Sequence, residues 1–530
     1  MSASSLHERL TLVIDLGTTG AKVGVATLGG AVLWCENHEL VSELTADGGA
    51  TQDAAAWWTL VCDATRRGTA SGAFDPARIE AVGITGQWAS TVPVDEAGEP
   101  VGPCLLWMDA RGGRRARDHI GGWLVGYDPK AIATWVRRTG GAPSLEGNDP
   151  LGHRLWLQHD APDVWARARW LLEPVDYLAM RLTGVAVASP ASMTASWLTD
   201  NRDLSIDRYD PVLLSYAGAD VSRLPPLRPT MSVIGPVRPD VAGALGLPDG
   251  VRVVTGLPDL HTAALGSGAI EDLAAHMALS TTSWISCHLD RKKTDAIRQM
   301  GTVPGVRPGR YLIANNHETS GRSLQWLRDV LTDSNGGAPG YAELDALAAS
   351  APAGAGSVLF TPWLAGERSP VADRKARAGF HNVSLTSTRA DLVRAVLEGV
   401  AYNNRWLLEA VERFTGARLE PIRMIGGGSV SPLWCQIHAD VMDRTIEQVA
   451  EPLYAGLRGA ALAAALALGA IAVDDVRGLV PVAATFRPDP ANGAAYERLY
   501  AEFPGLYKAQ KSMFARLNGR KGRGGGASAR

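Results

Sequence analysis

Leu12-Val13-Ile14-Asp15-Leu16-Gly17-Thr18-Thr19-Gly20-Ala21-Lys22-Val23-Gly24-Val25 is the stretch from which the fold can be read. A short apolar run ends at Asp15, a turn bearing glycines and threonines follows, and Lys22 to Val25 resumes strand-like alternation. A third strand, Ala31 to Cys35, follows Gly29-Gly30. Far downstream the pattern returns as Met277-Ala278-Leu279, then Ser280-Thr281-Thr282-Ser283, then Trp284-Ile285-Ser286. Two apolar hairpins with paired threonines predict two related halves, with a boundary near residue 265.

Strands and helices alternate through the remainder. Ile79 to Ile84 predicts a strand running into Thr85-Gly86-Gln87, and Val251 to Thr255 predicts another, leading into Gly256-Leu257-Pro258-Asp259. Gln52 to Arg67 has helical spacing, with Asp53 near its start and Arg66-Arg67 in its last turn, as the helix dipole favours. Helices are also expected over 113–125, 152–159 and 174–182, while 222–250, rich in Pro and Gly, reads as connecting loops. In the second half, Leu392, Val393, Val396, Leu397 and Val400 mark the buried face of a helix over 388–411. A strand over 422–425, the run Gly426-Gly427-Gly428, a helix over 431–442, a strand over 445–449 and an Ala-rich helix over 454–468 complete the pattern. The fold class is therefore α/β in two domains, residues 10–265 and 266–517, with ligands between them. A Gly-rich, basic tail over 518–530 is expected to be disordered.

Composition narrows the function. With 530 residues, 52 Lys plus Arg and 55 Asp plus Glu, the formal charge is -3, without the basic excess of a dedicated nucleic-acid binder. The cysteines, Cys35, Cys62, Cys104, Cys287 and Cys435, are scattered and lack metal-ligand spacing, which fits a reducing cytoplasm rather than a disulfide or zinc scaffold. Met1 to Arg9 is short and polar, unlike a signal peptide. Gly459 to Val473 is the longest uncharged apolar stretch, falls short of the roughly 20 residues that cross a bilayer, and reads as a buried helix.

Six segments can carry chemistry. In the first turn, glycines let the backbone approach a phosphate while the Thr18 and Thr19 hydroxyls donate to it. Asp15 would repel a phosphate unless a metal ion lay between, and Lys22 supplies compensating charge. A hairpin turn with an Asp cap accounts for the same letters. Thr281-Thr282-Ser283 is either the matching turn or an ordinary strand end. Gly426-Gly427-Gly428-Ser429, before a helix, could lie against a flat base or serve as a connector. Asp259 could accept the proton of an attacking hydroxyl or cap the helix that follows. Gln87-Trp88 and Trp107-Met108-Asp109-Ala110-Arg111 set polar groups beside aromatic rings, which suits a polyhydroxylated ligand. Most tryptophans are nonetheless core, and His153, His159 and His261 are too dispersed for a local metal motif.

Taken together, these segments resemble the FGGY carbohydrate kinases, most closely their xylulokinase-like members. The match runs in order through Asp15-Leu16-Gly17-Thr18-Thr19, Gly83-Ile84-Thr85-Gly86-Gln87, Leu106 to Arg111, Gly256-Leu257-Pro258-Asp259, Gly366-Glu367-Arg368-Ser369-Pro370, Ala395 to Tyr402, Ile425 to Ser429 and Trp434 to Met442. The resemblance implies a duplicated ribonuclease-H/actin-like (ASKHA) fold with ATP and Mg2+ in an interdomain cleft. It also implies phosphorylation of a small-molecule pentulose or polyol in the cytoplasm, with a homodimer as one possible assembly. By motif position Asp259 corresponds to the catalytic base. Thr18, Thr19 and Lys22 correspond to phosphate contacts of the first half, Thr282 to one of the second, Gly427 and Gly428 to the adenosine side, and Asp15 to the metal-associated carboxylate. Gln87, Trp88, Asp109 and Asp259 fall at the sugar.

The chain departs from xylulokinases in carrying Trp88-Ala89 in place of Met-His, Leu260 in place of Asn after the base, and Thr281 and Trp284 in place of loop glycines. A kinase for another sugar such as ribulose or glycerol, or a nucleotide-binding regulator on the same scaffold, are the alternatives. Retention of Asp259 favours catalysis.

Overall fold

A computed structural model describes residues 3–332 and 337–519. In the first half, Leu10–Leu16 pairs antiparallel with Gly20–Thr27, which pairs antiparallel with Val32–Glu39. On its other side Leu10–Leu16 runs parallel to Ile79–Gly86, which is parallel to Arg252–Val254, and Val233–Pro236 closes that edge antiparallel. In the second half, Ser283–Ser286 pairs antiparallel with Ala275–Leu279, followed by the parallel strands Ile422–Ile425 and Ile446–Val449 and the antiparallel edge Val482–Phe486. Hairpin, two parallel neighbours and one antiparallel edge recur in both sheets. The duplication expected from the two hairpins is thus present as topology.

Each sheet buries its own apolar core. Leu12, Ile14, Val23, Val25, Trp57 and Val82 belong to the first, and Met277, Ile285, Phe360, Val396, Leu397 and Met424 to the second. The helices form where their caps predict. Asp53 accepts from Ala55 N to open Ala54–Ala70, and Thr388 with Asp391 forms a capping box that opens Arg389–Thr415.

The two halves meet at a pair of helices. Asp259–Ser267 and Ala455–Ala467 cross antiparallel at very short range, because a Cβ on Gly459 would stand 2.0 Å from Thr262 O and one on Gly266 1.9 Å from Ala455 O. Gly83 of the first sheet is equally close, with a Cβ 2.4 Å from Ala460 O. The Ala-rich helix therefore packs on the first sheet, where Leu457, Ala460 and Ala461 join Val13 and Ala26. Residue 265 lies inside the helix Asp259–Ser267 rather than in a linker.

Two local expectations are corrected. The helix expected over 113–125 stops at Ile120, since Gly121-Gly122 favours the extended strand Gly121–Leu124. The region 222–250 holds the strand Val233–Pro236 and the helix Pro239–Leu245, whose Pro at the first turn and Gly246 cap (φ 68°) are helix punctuation rather than loop signals. At the C-terminus, Asn518 ends the helix Pro490–Asn518, and residues 520–530 of the expected tail lie outside the described residues. Among the described residues no helix is long and apolar enough to cross a membrane.

Candidate active site

Parallel pairing collects the chemistry at one sheet end. Asp15 stands beside Thr85 and Leu16 beside Gly86, while the short strand Leu257–Pro258 pairs with Thr85 and Gly86 from the other side. Asp259 follows at once. Pro258 is the N-cap of the helix and Asp259 its first residue, with Oδ1 accepting from Leu260 N at 2.7 Å, so its side chain serves a first-turn amide from inside the helix rather than from the N-cap position. A hydroxyl pair, Thr85 Oγ1 to Thr262 Oγ1 at 2.6 Å, fixes this helix on the sheet.

The Asp259 side chain is exposed, yet protein surrounds its position densely. Desolvation is the main cause that raises its pKa to about 7, with the Leu260 N–H opposing and the charge of Asp15 adding to the rise.

Asp15 is held by Lys22, whose Nζ lies 3.3 Å from Oδ2, and this contact is the main cause that raises the lysine pKa. A segment of the second half comes to the same carboxylate: a Cβ on Gly456 would lie 2.7 Å from Asp15 Oδ2. A few residues earlier, Pro452 O accepts from Gly426 N at 3.0 Å, and Gly426 lies against Ser280. Residues 452–456 therefore bridge the two hairpin turns, which sequence reasoning did not foresee.

The two threonines of the first turn divide their work. Thr18 Oγ1 accepts from Trp107 Nε1 at 3.0 Å and donates to Gln87 Oε1 at 3.4 Å, so it faces the Gln87 side, whereas Thr19 is exposed. Gln87 is 4% exposed and its Nε2 has no partner, a buried donor suited to a substrate hydroxyl. The half-buried Trp88 is fixed by its Nε1 donating to Ser192 O at 2.7 Å and sets its ring edge-on to His261. Asp109, expected at the sugar, is instead 0% exposed. Its oxygens accept from Ala50 N, Arg111 N and the Arg111 guanidinium, with Nη2 at 2.6 Å, so it orients Arg111 over the Trp156 ring and does not face a ligand.

The second turn is built from backbone. Ser280 N donates to Thr282 O, while Ser320 N and Gly321 N, at the start of the helix Gly321–Val330, donate to Thr281 O and Ser280 O. Thr281 is exposed and Thr282 half-buried. The buried hydroxyls of Ser320 and Ser323 have no partner, a feature with no signal in the sequence motifs. The three glycines differ in purpose. Gly426 holds φ 94°, and a Cβ there would strike Ser280 Oγ at 2.6 Å. A Cβ on Gly428 would meet Leu279 Cγ at 2.5 Å, so this position is packed. Gly427 alone is open, with nothing nearer than Leu453 Cδ2 at 3.7 Å. That open backbone fits a flat base, and the unpartnered hydroxyls of Ser320 and Ser323 are the spare donors beside the turn.

Comparison with known proteins agrees with this layout. The model for the N-terminal domain of the FGGY family of carbohydrate kinases matches residues 10–266, and that for its C-terminal domain matches residues 282–468. A xylulose kinase of Staphylococcus epidermidis is 29% identical over 516 residues, covering 96% of this chain and 99% of that protein. An L-xylulose/3-keto-L-gulonate kinase of Escherichia coli is 27% identical, covering 96% of this chain and 98% of its own. The crystal structure of xylulose kinase from Rhodospirillum rubrum superposes with a TM-score of 0.80 at 27% identity, over 96% of this chain and 100% of that one. With both family domains matched in order on a duplicated α/β architecture, the chain is a phosphotransferase and belongs to the FGGY family of carbohydrate kinases.

Proposed function

We propose that this chain transfers the γ-phosphoryl group of ATP to a hydroxyl of a pentulose, xylulose-like, or of a related polyol. The observation that carries the reading is Asp259. It is an exposed carboxylate with a pKa raised to about 7, following the strand Leu257–Pro258 that pairs with Thr85 and Gly86, the residues just before Gln87 and its unpartnered Nε2. An acceptor hydroxyl held by Gln87 would give its proton to Asp259 as its oxygen forms the new bond to phosphorus, and the bond to the β-phosphate oxygen breaks with ADP leaving. Near neutrality a carboxylate of this pKa is both available as a base and strong enough to take the proton.

Thr19, Lys22 and the amides of both turns would hold phosphate oxygens, and Gly427 would lie against the adenosine. Asp15 would hold Mg2+ through Oδ1, since Lys22 and Gly456 both approach Oδ2. Mg2+, when bound, would neutralise charge on the phosphates. An uncharged acceptor is favoured because the cations flanking the site are already paired: Lys22 with Asp15, Arg111 with Asp109, and Arg368 with Glu318. Closure of the halves would exclude water and suppress hydrolysis of ATP. A coupled ADP-release assay over ketopentoses, polyols and hexuloses tests the reading. Turnover is expected with at least one five-carbon ketose, and no acceptor-dependent turnover on any compound overturns it.

A further inference from the structure

Resting on the kinase reading above, we propose that Arg368 is a positioning residue that carries the placement of the second half into the acceptor pocket of the first. Its own anchorage is unusually firm. Glu367, 1% exposed, accepts from Glu318 N at 3.1 Å and Arg368 N at 2.8 Å through Oε1. Through Oε2 it accepts from Asn403 Nδ2 at 2.6 Å, with His317 Nδ1 at 3.1 Å. One buried carboxylate thus locks the backbone of two neighbours, and Ser369 adds bonds to Asn316 O and Gln299 O. The locked neighbours then pair with each other, Arg368 Nε to Glu318 Oε1 at 2.9 Å and Nη2 at 2.8 Å.

The Arg368 side chain remains 32% exposed, and its guanidinium stands 5.9 Å from the ring centroid of Trp107, across the boundary between the halves. That separation is at the outer limit of a cation–π contact, too short to admit a sugar between the groups and weak enough to break reversibly. Trp107 relays it. Its Nε1 donates to Thr18 Oγ1, its backbone N donates to Ser90 Oγ at 3.0 Å, and both hydroxyls donate to Gln87 Oε1, at 3.4 and 3.5 Å. Gln87 Nε2 is the group left for an acceptor hydroxyl. The path from Arg368 to the acceptor therefore consists of one contact between the halves and a chain of hydrogen bonds within the first, of which the last two, to Gln87, are long. Glu318 neutralises Arg368, so the residue serves to seat the ring rather than to bind an anion. When the halves part, the ring loses its seat and the pocket loosens.

The test measures acceptor KM, ATP KM and acceptor-independent ATP hydrolysis in wild type, Arg368→Gln, Trp107→Leu and the double variant. Trp107→Phe, which keeps a ring, is the control. Arg368→Gln is expected to raise acceptor KM by about 2- to 5-fold and the ratio of futile hydrolysis to transfer with it, leaving ATP KM unchanged. The effect should shrink in Trp107→Phe, which keeps a ring but loses the Nε1 bond to Thr18 and retains only the backbone bond to Ser90, and vanish in Trp107→Leu, as coupled neighbours require. Should Arg368→Gln fail to fold, Arg368→Lys, which keeps the charge, is expected to show the same rise at smaller size. An equal effect of Arg368→Gln with and without the ring, or an unchanged acceptor KM, overturns this inference while leaving the kinase reading intact. Absence of acceptor-dependent turnover in the wild type sinks both.

Discussion

The hairpin turn at Gly17–Thr19 and its counterpart at Ser280–Thr282 occupy equivalent places in the two sheets yet are built from different materials. The first is a side-chain device. Lys22 and Asp15 supply charge, and the Thr18 hydroxyl ties the turn to Trp107 and Gln87. The second is a backbone device, braced by amides of the helix Gly321–Val330 and overlaid by Gly426. Duplication preserved the strand order and let the contents of the turn drift. On the proposed function, the first turn would join phosphate to acceptor, and the second would serve the nucleotide.

The largest effect expected separates the two devices outright. Asp259→Asn should lower kcat by about a thousandfold, since no proton acceptor remains, while nucleotide binding, in which Asp259 has no proposed part, stays within twofold. The same variant carries a check on folding. A carboxylate whose pKa is raised in the folded state has its stabilising contribution intact below its unfolded pKa and loses it as pH rises through about 7. Asp259→Asn should therefore gain more in Tm over wild type at pH 8 than at pH 5, and a uniform loss of Tm would point to misfolding instead.

Acid titration is the next largest lever. Because the base must be ionised, kcat/KM for the acceptor should fall about tenfold per pH unit below about 7 and level off above it. A profile flat to pH 5 would remove Asp259 from the base role. Gly426→Ala should raise ATP KM by about tenfold, from strain at positive φ together with the clash on Ser280, with acceptor KM unchanged. The smallest pair of effects sharpens the contrast most. Thr18→Val, by stranding Trp107 Nε1, should raise acceptor KM about fivefold, whereas Thr282→Val should act on ATP KM alone. If both variants act on the same substrate, the division of labour is wrong.

Much of this was legible in the letters. Alternating apolar residues flanking a polar turn define a hairpin locally, so Leu12 to Val25 and Met277 to Ser286 could be read without their partners. Asp53, Thr388 and the residues after Pro258 announce helix starts by short-range rules of the same kind. What escaped the reading depends on which way a side chain turns or on partners far apart in the chain. Asp109 sits in a motif beside aromatic rings, and nothing local tells that its oxygens turn inward to Ala50 and Arg111. Thr18 and Thr19 look interchangeable in sequence, and only the approach of Trp107 distinguishes them. The bridge at residues 452–456 and the seat that Arg368 gives Trp107 join segments from opposite halves. The Ala-rich helix was recognised as buried, but its placement against the other half's sheet rests on Gly83, a strand residue far upstream.

The helix crossing has a mechanical consequence. Where Gly83, Gly266 and Gly459 bring main chain onto main chain, the side chains around them, Leu260, Ala263 and Ala264 with Leu462 and Ala463, close the seam into one dry cluster. A single methyl group added at any of the three would have to push backbone away from backbone, and the shift would be passed to both halves although the added atom touches neither substrate.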